Sequence, residues 1–467
     1  MSAPDIVQLP DIAAAVAELK TAFGERVSTS LAVREQHGAG FSYHKPVPAD
    51  AVVFAQSAED VQLAVRICAR HRSPIIAYGT GTSMEGHLAA LHGGVCIDVS
   101  RMDRVLDVNS EDMHAVVEPG VTREALNAYI RATGLFFSID PGANASIGGM
   151  VATRASGTNA VRYGTMREVV VCLKVVIATG ELMNIGTRAK KSSTGYDLTH
   201  LFVGSEGTLG IIVEITVKLY PQPEHTAAAV VSFESMKGAV DTVMQTIQMG
   251  VPAARLELLD EFSIRAVNQH SKMSLTVAPT LFLEFHGSEN SVKEQAETVQ
   301  AIAEDNGGGG FSWSVQQEER SKLWKARHES GWAAREMRPG SMNWSTDACV
   351  PISRLTENIL AAREDLDTAT IPGRIIGHVG DGNFHVTYLI LPDSKTELAE
   401  AERLAGRVVE RAIAAGGTAS GEHGVGYGKI RYMRREHGAS VELMRAIKQA
   451  LDPLGIMNPG KILPPAT

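Results

Sequence analysis

Reading from the N-terminus, the first sharp change of pattern comes at Ala51, where "AVVFAQ" predicts a strand. Ser57 then stands as the cap of a helix running through Arg70, and "PIIAY" reads as a second strand, giving a βαβ-like rhythm. Upstream, "MSAPDIVQLPDIAAAVAELK" reads as a starting helix with Asp11 as its cap. From Phe202, "FVGSEGTLGIIVEITVKLYP" passes from a glycine-rich turn into a long strand. The pattern breaks at "LYPQPEHTAA", where Pro221 and Pro223 mark a domain boundary. Beyond it, "TLFLEFHG" (280–287) reads as a hairpin-like strand, "NGGGG" from Asn306 as a turn, and 395–415 as a helix. Alternating strands and helices argue α+β. The end, "LDPLGIMNPGKILP", is too rich in Pro and Gly for a helix and is expected to pack back onto the body. No internal repeat or low-complexity tract stands out.

Composition narrows the class. A chain of 467 residues exceeds the usual ceiling for one core, so two or three domains are expected. With 44% apolar and 21% charged residues it reads as an ordinary globular protein. The net charge of -9, with no sustained basic run, argues against nucleic acid as a partner. No apolar run reaches the length of a membrane span, although loose attachment to a membrane surface stays open. Cys68, Cys96, Cys172 and Cys349 form no CxxC pair and read as buried thiols in a reducing compartment. The N-terminus has neither signal nor transit character, so the expected location is cytoplasmic, peripheral at most to the inner face of a membrane.

Directly after the second strand comes "GTGTSMEGH" (79–87). Gly79 and Gly81 allow a tight turn that exposes successive amides, while Thr80, Thr82 and Ser83 add hydroxyls; such a loop suits a phosphate or pyrophosphate. A tight surface turn would read the same way. The loop matches neither GxGxxG nor GxxxxGK[ST], so the two commonest nucleotide folds are not indicated. A second glycine-rich region, "PGANASIGGMVATRASGTNAVRYGT" (141–165), permits close backbone approach to something large and flat. Together with the "VGSEGTLG" region, it is explained by a bulky, phosphate-bearing cofactor lying along all of them.

The richest chemistry lies in "GHVGDGNFHVTYLI". A hairpin turning at Asp381-Gly382 would set His378 opposite His385 on one face, a clamp for a divalent ion. "SGEHGVG" (420–426) offers Glu422 as a carboxylate ligand and His423 as a base facing whatever the ion orients. Mixed nitrogen and oxygen ligands suit Zn²⁺, Mn²⁺ or Fe²⁺. Arg327, in "LWKARHESG", could hold a substrate carboxylate, although a surface salt bridge is the simpler reading, as for Arg255 and Glu257 in "ARLELLD". His87 could touch a cofactor; surface exposure explains it as well.

Taken together, these residues resemble the FAD-dependent D-lactate dehydrogenases of the cytochrome-linked type, within the wider vanillyl-alcohol-oxidase-like flavoproteins. "PGVTREALNAYI", "SGTNAVRYGTMR", "LFVGSEGTLG", "APTLFLEFHGSE", "GHVGDGNFH", "GEHGVG" and "MNPGK" occur in family order, and the resemblance runs from about residue 45 to Lys461. It implies an N-terminal helical segment (1–44), a two-subdomain PCMH-type FAD-binding domain (45–222), an α+β cap bearing substrate and metal (223–450), and a tail packed on the FAD-binding body (451–467). Tyr78, Gly79, Thr80, Gly81, Thr82, Ser83, Gly86 and His87 would surround the pyrophosphate. Pro141, Gly142, Ser146, Gly148, Gly149, Ala155, Ser156, Gly157, Asn159, Arg162, Tyr163 and Gly164 would lie beside the dinucleotide and isoalloxazine. Ile211 and Ile212 would approach the adenine side, with Glu206, Gly210 and Asn458 completing the set. The family's metal ligands carry over as His378, His385 and Glu422, its base as His423, and its carboxylate-binding arginine as Arg327.

There are departures. Related 2-hydroxyglutarate enzymes carry a basic residue near the stretch that here reads "NWSTDACVP"; Trp344, Ser345 and Thr346 offer none, which disfavours a second substrate carboxylate. "TSMEGH" has Met84 and His87 where close relatives have a second glycine or leucine, and non-covalent FAD is expected. The resemblance thus implies oxidation of D-lactate or another small D-2-hydroxyacid to the 2-oxoacid, with electrons passed to cytochrome c, a quinone or an electron-transfer flavoprotein. A glycolate or broader D-2-hydroxyacid dehydrogenase is the near alternative. A metal-dependent hydrolase, which leaves the glycine-rich first half idle, and a module that binds a phosphorylated ligand without turnover are alternatives of other classes.

Overall fold

The computed structural model describes residues 9–465; of the expected segments, the first eight residues of 1–44 and the last two of 451–467 lie outside the described residues. Asp11 caps the helix Ile12–Phe23 by accepting from Ala14 N at 2.9 Å, and Ser57 caps Ala58–Arg70 by accepting from Asp60 N at 3.3 Å. Both short polar side chains satisfy an amide that the first helical turn leaves without a partner.

The first sheet holds β1 (Val27–Ser28), β2 (Ala51–Phe54), β3 (Ile75–Tyr78) and β4 (Val95–Asp98) in the order β1-β2-β4-β3. β2 and β3 are the strands of the expected βαβ unit, and both pair in parallel with β4, which inserts between them. The apolar face of helix Ala58–Arg70 (Val61, Ala64, Val65, Ile67 and Cys68) closes this core, each large side chain contributing roughly 1.5–3 kcal/mol by leaving water. The second sheet, β5 (Val105–Asn109), β6 (His114–Val117), β8 (Val170–Val176), β9 (Leu182–Gly186) and β10 (Ile211–Lys218), is antiparallel in the order β5-β6-β10-β8-β9. A two-strand ribbon of β7 (Leu135–Phe136) and β11 (Tyr220–Pro221) precedes the crossing into the C-terminal part.

That part is one sheet of β12 (His225–Phe233), β13 (Arg255–Leu259), β14 (Thr280–Gly287), β15 (Gly308–Ser314), β16 (Met342–Ser345), β17 (Ala348–Cys349), β18 (Gly373–His378) and β19 (Asn383–Ile390). Its order is β15-β12-β14-β13-β18-β19-β16, with β17 also on β19. Two sequence expectations shift here. "TLFLEFHG" is an interior strand, and Gly308–Gly310 of "NGGGG" belong to the edge strand β15, with the turn confined to Asn306 and Gly307. Alternation divides the sheet. Leu256, Leu258, Ile375, Val386 and Tyr388 face a core made with helices Met236–Gln248, Glu289–Asp305, Leu355–Asp367 and Lys395–Ala414. Glu257, Arg374, His378 and His385 alternate with them onto the opposite face.

After the helix Ser440–Leu451, the tail joins the edge of the first sheet: Ile75 N donates to Ile456 O at 2.7 Å and Asn458 N to Ile75 O at 2.8 Å. Lys461 Nζ caps Ala89 O at 2.7 Å. Among the described residues no helix is long and apolar enough to cross a membrane.

Candidate active site

β18 and β19 present His378 and His385, but not through the two-residue turn expected from the sequence. Val379–Asp381 form a short 3₁₀ turn closed by Gly382 at φ +76°, where a Cβ would lie 2.1 Å from Val350 O. His378 therefore pairs with Asn383, and Ile376 with His385, two positions from the expected register. Because side chains alternate, a shift of two keeps both imidazoles on one face. Their rings lie 5.5 Å apart at 86°.

The two Nε2 atoms converge on Glu422 Oε1, at 3.3 Å from His378 and 3.4 Å from His385. Each Nδ1 is engaged behind: His378 with Glu257 Oε1 at 2.7 Å, His385 with the Thr346 carbonyl at 3.0 Å. A carbonyl only accepts, so His385 carries its hydrogen on Nδ1 and offers the Nε2 lone pair forward, the arrangement metal-ligating histidines use. Burial opposes charge on His378, yet Glu257 and Glu422 hold its imidazole well above the usual value. Burial likewise opposes the Glu422 carboxylate, yet His378 and His385 hold it well below the usual range. A field that favours a proton between these atoms favours a divalent cation there, with release of the proton.

Asp347, His385, Glu422 and His423 each bring one ligand-type atom within 4.8 Å of the others. Asp347 is already committed. Its Oδ2 accepts from Ser420 Oγ (2.7 Å), Glu422 N (2.9 Å) and His423 N (2.7 Å), and its Oδ1 from Asn383 Nδ2 (2.9 Å). It fixes the 420–423 loop against the hairpin, and His378, whose Nε2 has only Glu422 before it among the described residues, is the better ligand. His423 stacks on His385 at 5.2 Å and 9°, and its Nδ1 lies 3.3 Å from Glu85 Oε1, which also meets Lys429 Nζ at 3.1 Å. Burial opposes charge on His423, while Asp347 and then Glu85 raise its pKa above the usual imidazole value.

Arg327 is 7% exposed rather than a surface charge. Its Nε and Nη2 donate to Glu257 Oε2 at 2.9 and 2.5 Å, so Glu257 joins the arginine to His378. Arg255 is partly buried, donating to Asn159 Oδ1 at 2.9 Å and Asp140 Oδ2 at 3.2 Å against the Trp324 ring.

A cavity of about 810 Å³ runs from these residues across the N-terminal body. Its walls include Tyr78, Gly79, Thr80, Gly81, Thr82, Ser83, His87, Pro141, Gly142, Gly148 and Gly149. Ala155, Ser156, Glu206, Gly210, Ile211, Ile212 and Asn458 complete the expected residues that line it. Others in the expected set sit elsewhere. Gly86 backs onto Tyr427, and Gly157 onto Asp140. Ser146 lies behind Gly79, whose Cβ would come 2.5 Å from its Oγ, and Gly164 packs on Glu168. Asn159, Arg162 and Tyr163 tie the N-terminal body to the cap through Arg255, Pro252 O and His286, respectively. Glu206, at φ +52°, accepts from Val425 N (2.6 Å) and Gly426 N (2.8 Å), linking the same two parts.

The cavity fits a dinucleotide. Ser83 Oγ, Asn458 Oδ1 and both His87 nitrogens are buried on residues of its wall without a hydrogen-bond partner among the described residues, although His87 Nε2 lies 3.2 Å from Glu206 Oε2. The glycines leave room for close approach. Sequence reasoning missed Asp347, Glu85, Lys429 and Arg374, and it placed Glu257 on the surface. Asp347 stood within the "NWSTDACVP" stretch, where only a missing cation drew notice, and Glu85 within the "GTGTSMEGH" loop, which was read only for phosphate; Lys429 and Arg374 left no local signal.

A two-part glycine-lined body, with a cap that hangs imidazoles and a carboxylate over one end of its cavity, defines a flavoprotein oxidoreductase of PCMH type. The comparisons agree. Residues 49–186 match the FAD binding domain family and 222–462 the FAD linked oxidases, C-terminal domain. The chain is similar to "Probable D-lactate dehydrogenase, mitochondrial" of Danio rerio, with 51% identity over 94% of this chain and 89% of that protein. It is also similar to "D-lactate dehydrogenase [cytochrome], mitochondrial" of Arabidopsis thaliana, with 46% identity over 96% and 80%. The fold is that of p-cresol methylhydroxylase solved with substrate bound: TM-score 0.74, 18% identity, covering 96% of each chain. The chain belongs to the FAD-linked oxidase family, beside its cytochrome-type D-lactate dehydrogenases. It is an FAD-dependent oxidoreductase, and the hydrolase and binding-module alternatives fall away.

Proposed function

We propose that the protein oxidises D-lactate, and small D-2-hydroxyacids like it, to the 2-oxoacid and passes the electrons to an acceptor other than a nicotinamide. The observation that carries this reading is the meeting of His378 Nε2, His385 Nε2 and Glu422 Oε1 at the wall of the flavin cavity, with His423 stacked beside them. Non-covalent FAD would supply the two-electron sink, and His378, His385 and Glu422 would hold a divalent ion (Zn²⁺, Mn²⁺ or Fe²⁺) that would supply Lewis acidity. The chain's own side chains do the rest. Arg327 orients the substrate carboxylate: Glu257 holds two of its nitrogens and fixes the guanidinium plane, leaving Nη1 to donate. His423 takes the hydroxyl proton on Nε2, while Glu85 at its Nδ1 holds the ring in orientation and favours the imidazolium that forms.

In this reading the acceptor is a cytochrome, as in the printed name of the Arabidopsis relative, with a quinone or an electron-transfer flavoprotein as the other candidates. Such a handover suits a chain in the cytoplasm or at the inner face of the acceptor's membrane; both relatives are named as mitochondrial. The test is an anaerobic titration of the yellow protein. D-lactate should bleach the flavin bands and yield pyruvate in equal amount, and L-lactate should leave them unchanged. A flavin that no D-2-hydroxyacid reduces would end the proposal.

A further inference from the structure

Alternate residues of β18 face the cavity: Arg374, Ile376 and His378. His378 stands at the ion-binding end. Arg374 lies four residues back, about 13 Å along the strand. Across the sheet, Arg374 pairs with Thr387 of β19, and Thr387 with Ser345 of β16. These two and Asn343 also line the cavity, so its far end is polar.

Arg374 is 4% exposed, yet no carboxylate among the described residues forms an ion pair with it. Its Nη1 donates to the Ser330 carbonyl at 3.0 Å, and its Nε is buried with no partner among the described residues. Asp260 is the acid whose field reaches it, but the Asp260 oxygens accept from Ser263 N and Ile375 N, each at 2.8 Å. Burial, joined by repulsion from Arg327, outweighs Asp260 and brings the guanidinium down to about 10, so it remains a cation at neutral pH. Arg327, by contrast, has Glu257 as its counter-ion and keeps only Nη1 for the substrate. Nearby, Asn343 Oδ1 is also buried without a partner, and its Nδ2 reaches only to Gly331 O at 3.4 Å. A buried guanidinium without a counter-ion is costly to keep. An anion that arrives with the substrate would offset that cost.

We infer that Arg374 is a specificity-determining residue that binds a second carboxylate, and that the protein oxidises D-2-hydroxy diacids as well as D-lactate. The inference rests on the proposed D-2-hydroxyacid dehydrogenation. His385 lies opposite Ile376, two residues or about 7 Å along the strand from Arg374. With the 1-carboxylate on Arg327, the part of a diacid beyond C2 is what extends toward Arg374, where lactate has only a methyl. The cation missing from Trp344, Ser345 and Thr346 is thereby supplied from two strands away.

The test uses the holoenzyme and anaerobic flavin reduction with D-lactate, D-malate and D-2-hydroxyglutarate, then steady-state kinetics with an artificial acceptor. Wild-type protein should reduce its flavin with at least one diacid. In Arg374→Met the ratio of kcat/KM for that diacid to kcat/KM for D-lactate should fall on the order of 10–100-fold, mainly through KM, as loss of one charge-assisted contact predicts. Arg374→Lys, which keeps the charge, should recover part of the ratio. Reduction by D-lactate but by neither diacid would overturn the inference and leave the proposed function standing. An unchanged ratio in Arg374→Met would overturn it as well, because a residue with only a structural role would depress both substrates together. If D-lactate also fails with wild-type protein, the proposed function fails first and this inference with it.

Discussion

Glu257→Gln perturbs the site without removing any group that meets the substrate. Glu257 is completely buried, with Oε1 accepting from His378 Nδ1 at 2.7 Å and Oε2 from Arg327 Nε and Nη2 at 2.9 and 2.5 Å. Glutamine keeps the shape but only one acceptor oxygen. If that oxygen faces His378, an amide NH₂ meets the guanidinium, and stranding a buried charge costs about 3–5 kcal/mol. If it faces Arg327, the NH₂ meets His378 Nδ1, and the imidazole shifts its hydrogen to Nε2, losing the lone pair that would hold an ion. Loss of a group that orients a ligand typically lowers metal affinity about 10–100-fold, equivalent to roughly 1.4–2.7 kcal/mol. The second arrangement costs less and should prevail. Competition with a chelator of known affinity, run for Zn²⁺ and Mn²⁺, measures the effect, and the flavin spectrum taken alongside reports whether FAD is retained. We expect affinity to fall by that factor with flavin content unchanged. A folded, flavin-loaded Glu257→Gln protein that binds the ion as tightly as wild type would refute the assignment of His378 as a ligand oriented by Glu257.

Other expectations can be checked with the same preparations. His378→Ala, His385→Ala and Glu422→Ala should each abolish bound metal by elemental analysis while leaving the flavin spectrum intact, because ion and dinucleotide occupy different loops; flavin loss from a folded variant would contradict this. Heat-denatured protein should release its FAD into the supernatant, and flavin left on the precipitate would return attention to His87. His37, on the helix Leu31–Gly38, pairs with Asp98 at the end of β4 at 3.0 Å; burial opposes its charge, but Asp98 and the Val33 carbonyl raise it above the usual imidazole value. The stability from that raised pKa is fully present below the unfolded value of about 6.5 and lost as pH rises through the folded one. The Tm difference between wild type and His37→Gln should therefore be larger at acid than at alkaline pH, and an equal difference at both would count against the pair.

Local signals carried much of the fold. Asp11 and Ser57 announced their helices because capping is a contact within three residues, and the strand–helix–strand run from Ala51 to Tyr78 is written in period and composition. Parity along β18 and β19 put both imidazoles on one face. The register was not legible, because it depends on the Val350 carbonyl, just beyond β17, leaving no room for a Cβ at Gly382. Nor were the groups that arm the site. Asp347, Glu85 and Glu257 reach the histidines from segments as far as 338 residues away in the chain, and nothing in a window around each separates it from a surface acid. Arg374 carried no signal in the sequence; only the fold, which sets the Ser330 carbonyl and the cavity against it, buries it without an ion-pair partner among the described residues.

The central claim, that His423 takes the proton while FAD accepts the electrons, is tested most directly by stopped-flow reduction of the anaerobic holoenzyme, comparing wild type with His423→Asn. Asparagine has similar reach but no nitrogen that is basic near neutrality. With metal and FAD verified in both, the limiting rate of flavin reduction by D-lactate should fall about 10²–10⁴-fold, and 2-deuterated D-lactate should slow it further, which identifies C–H cleavage as the observed step. If His423→Asn, with its ion and flavin in place, is reduced at the wild-type rate, His423 is not the base and the proposed arrangement of the site is wrong.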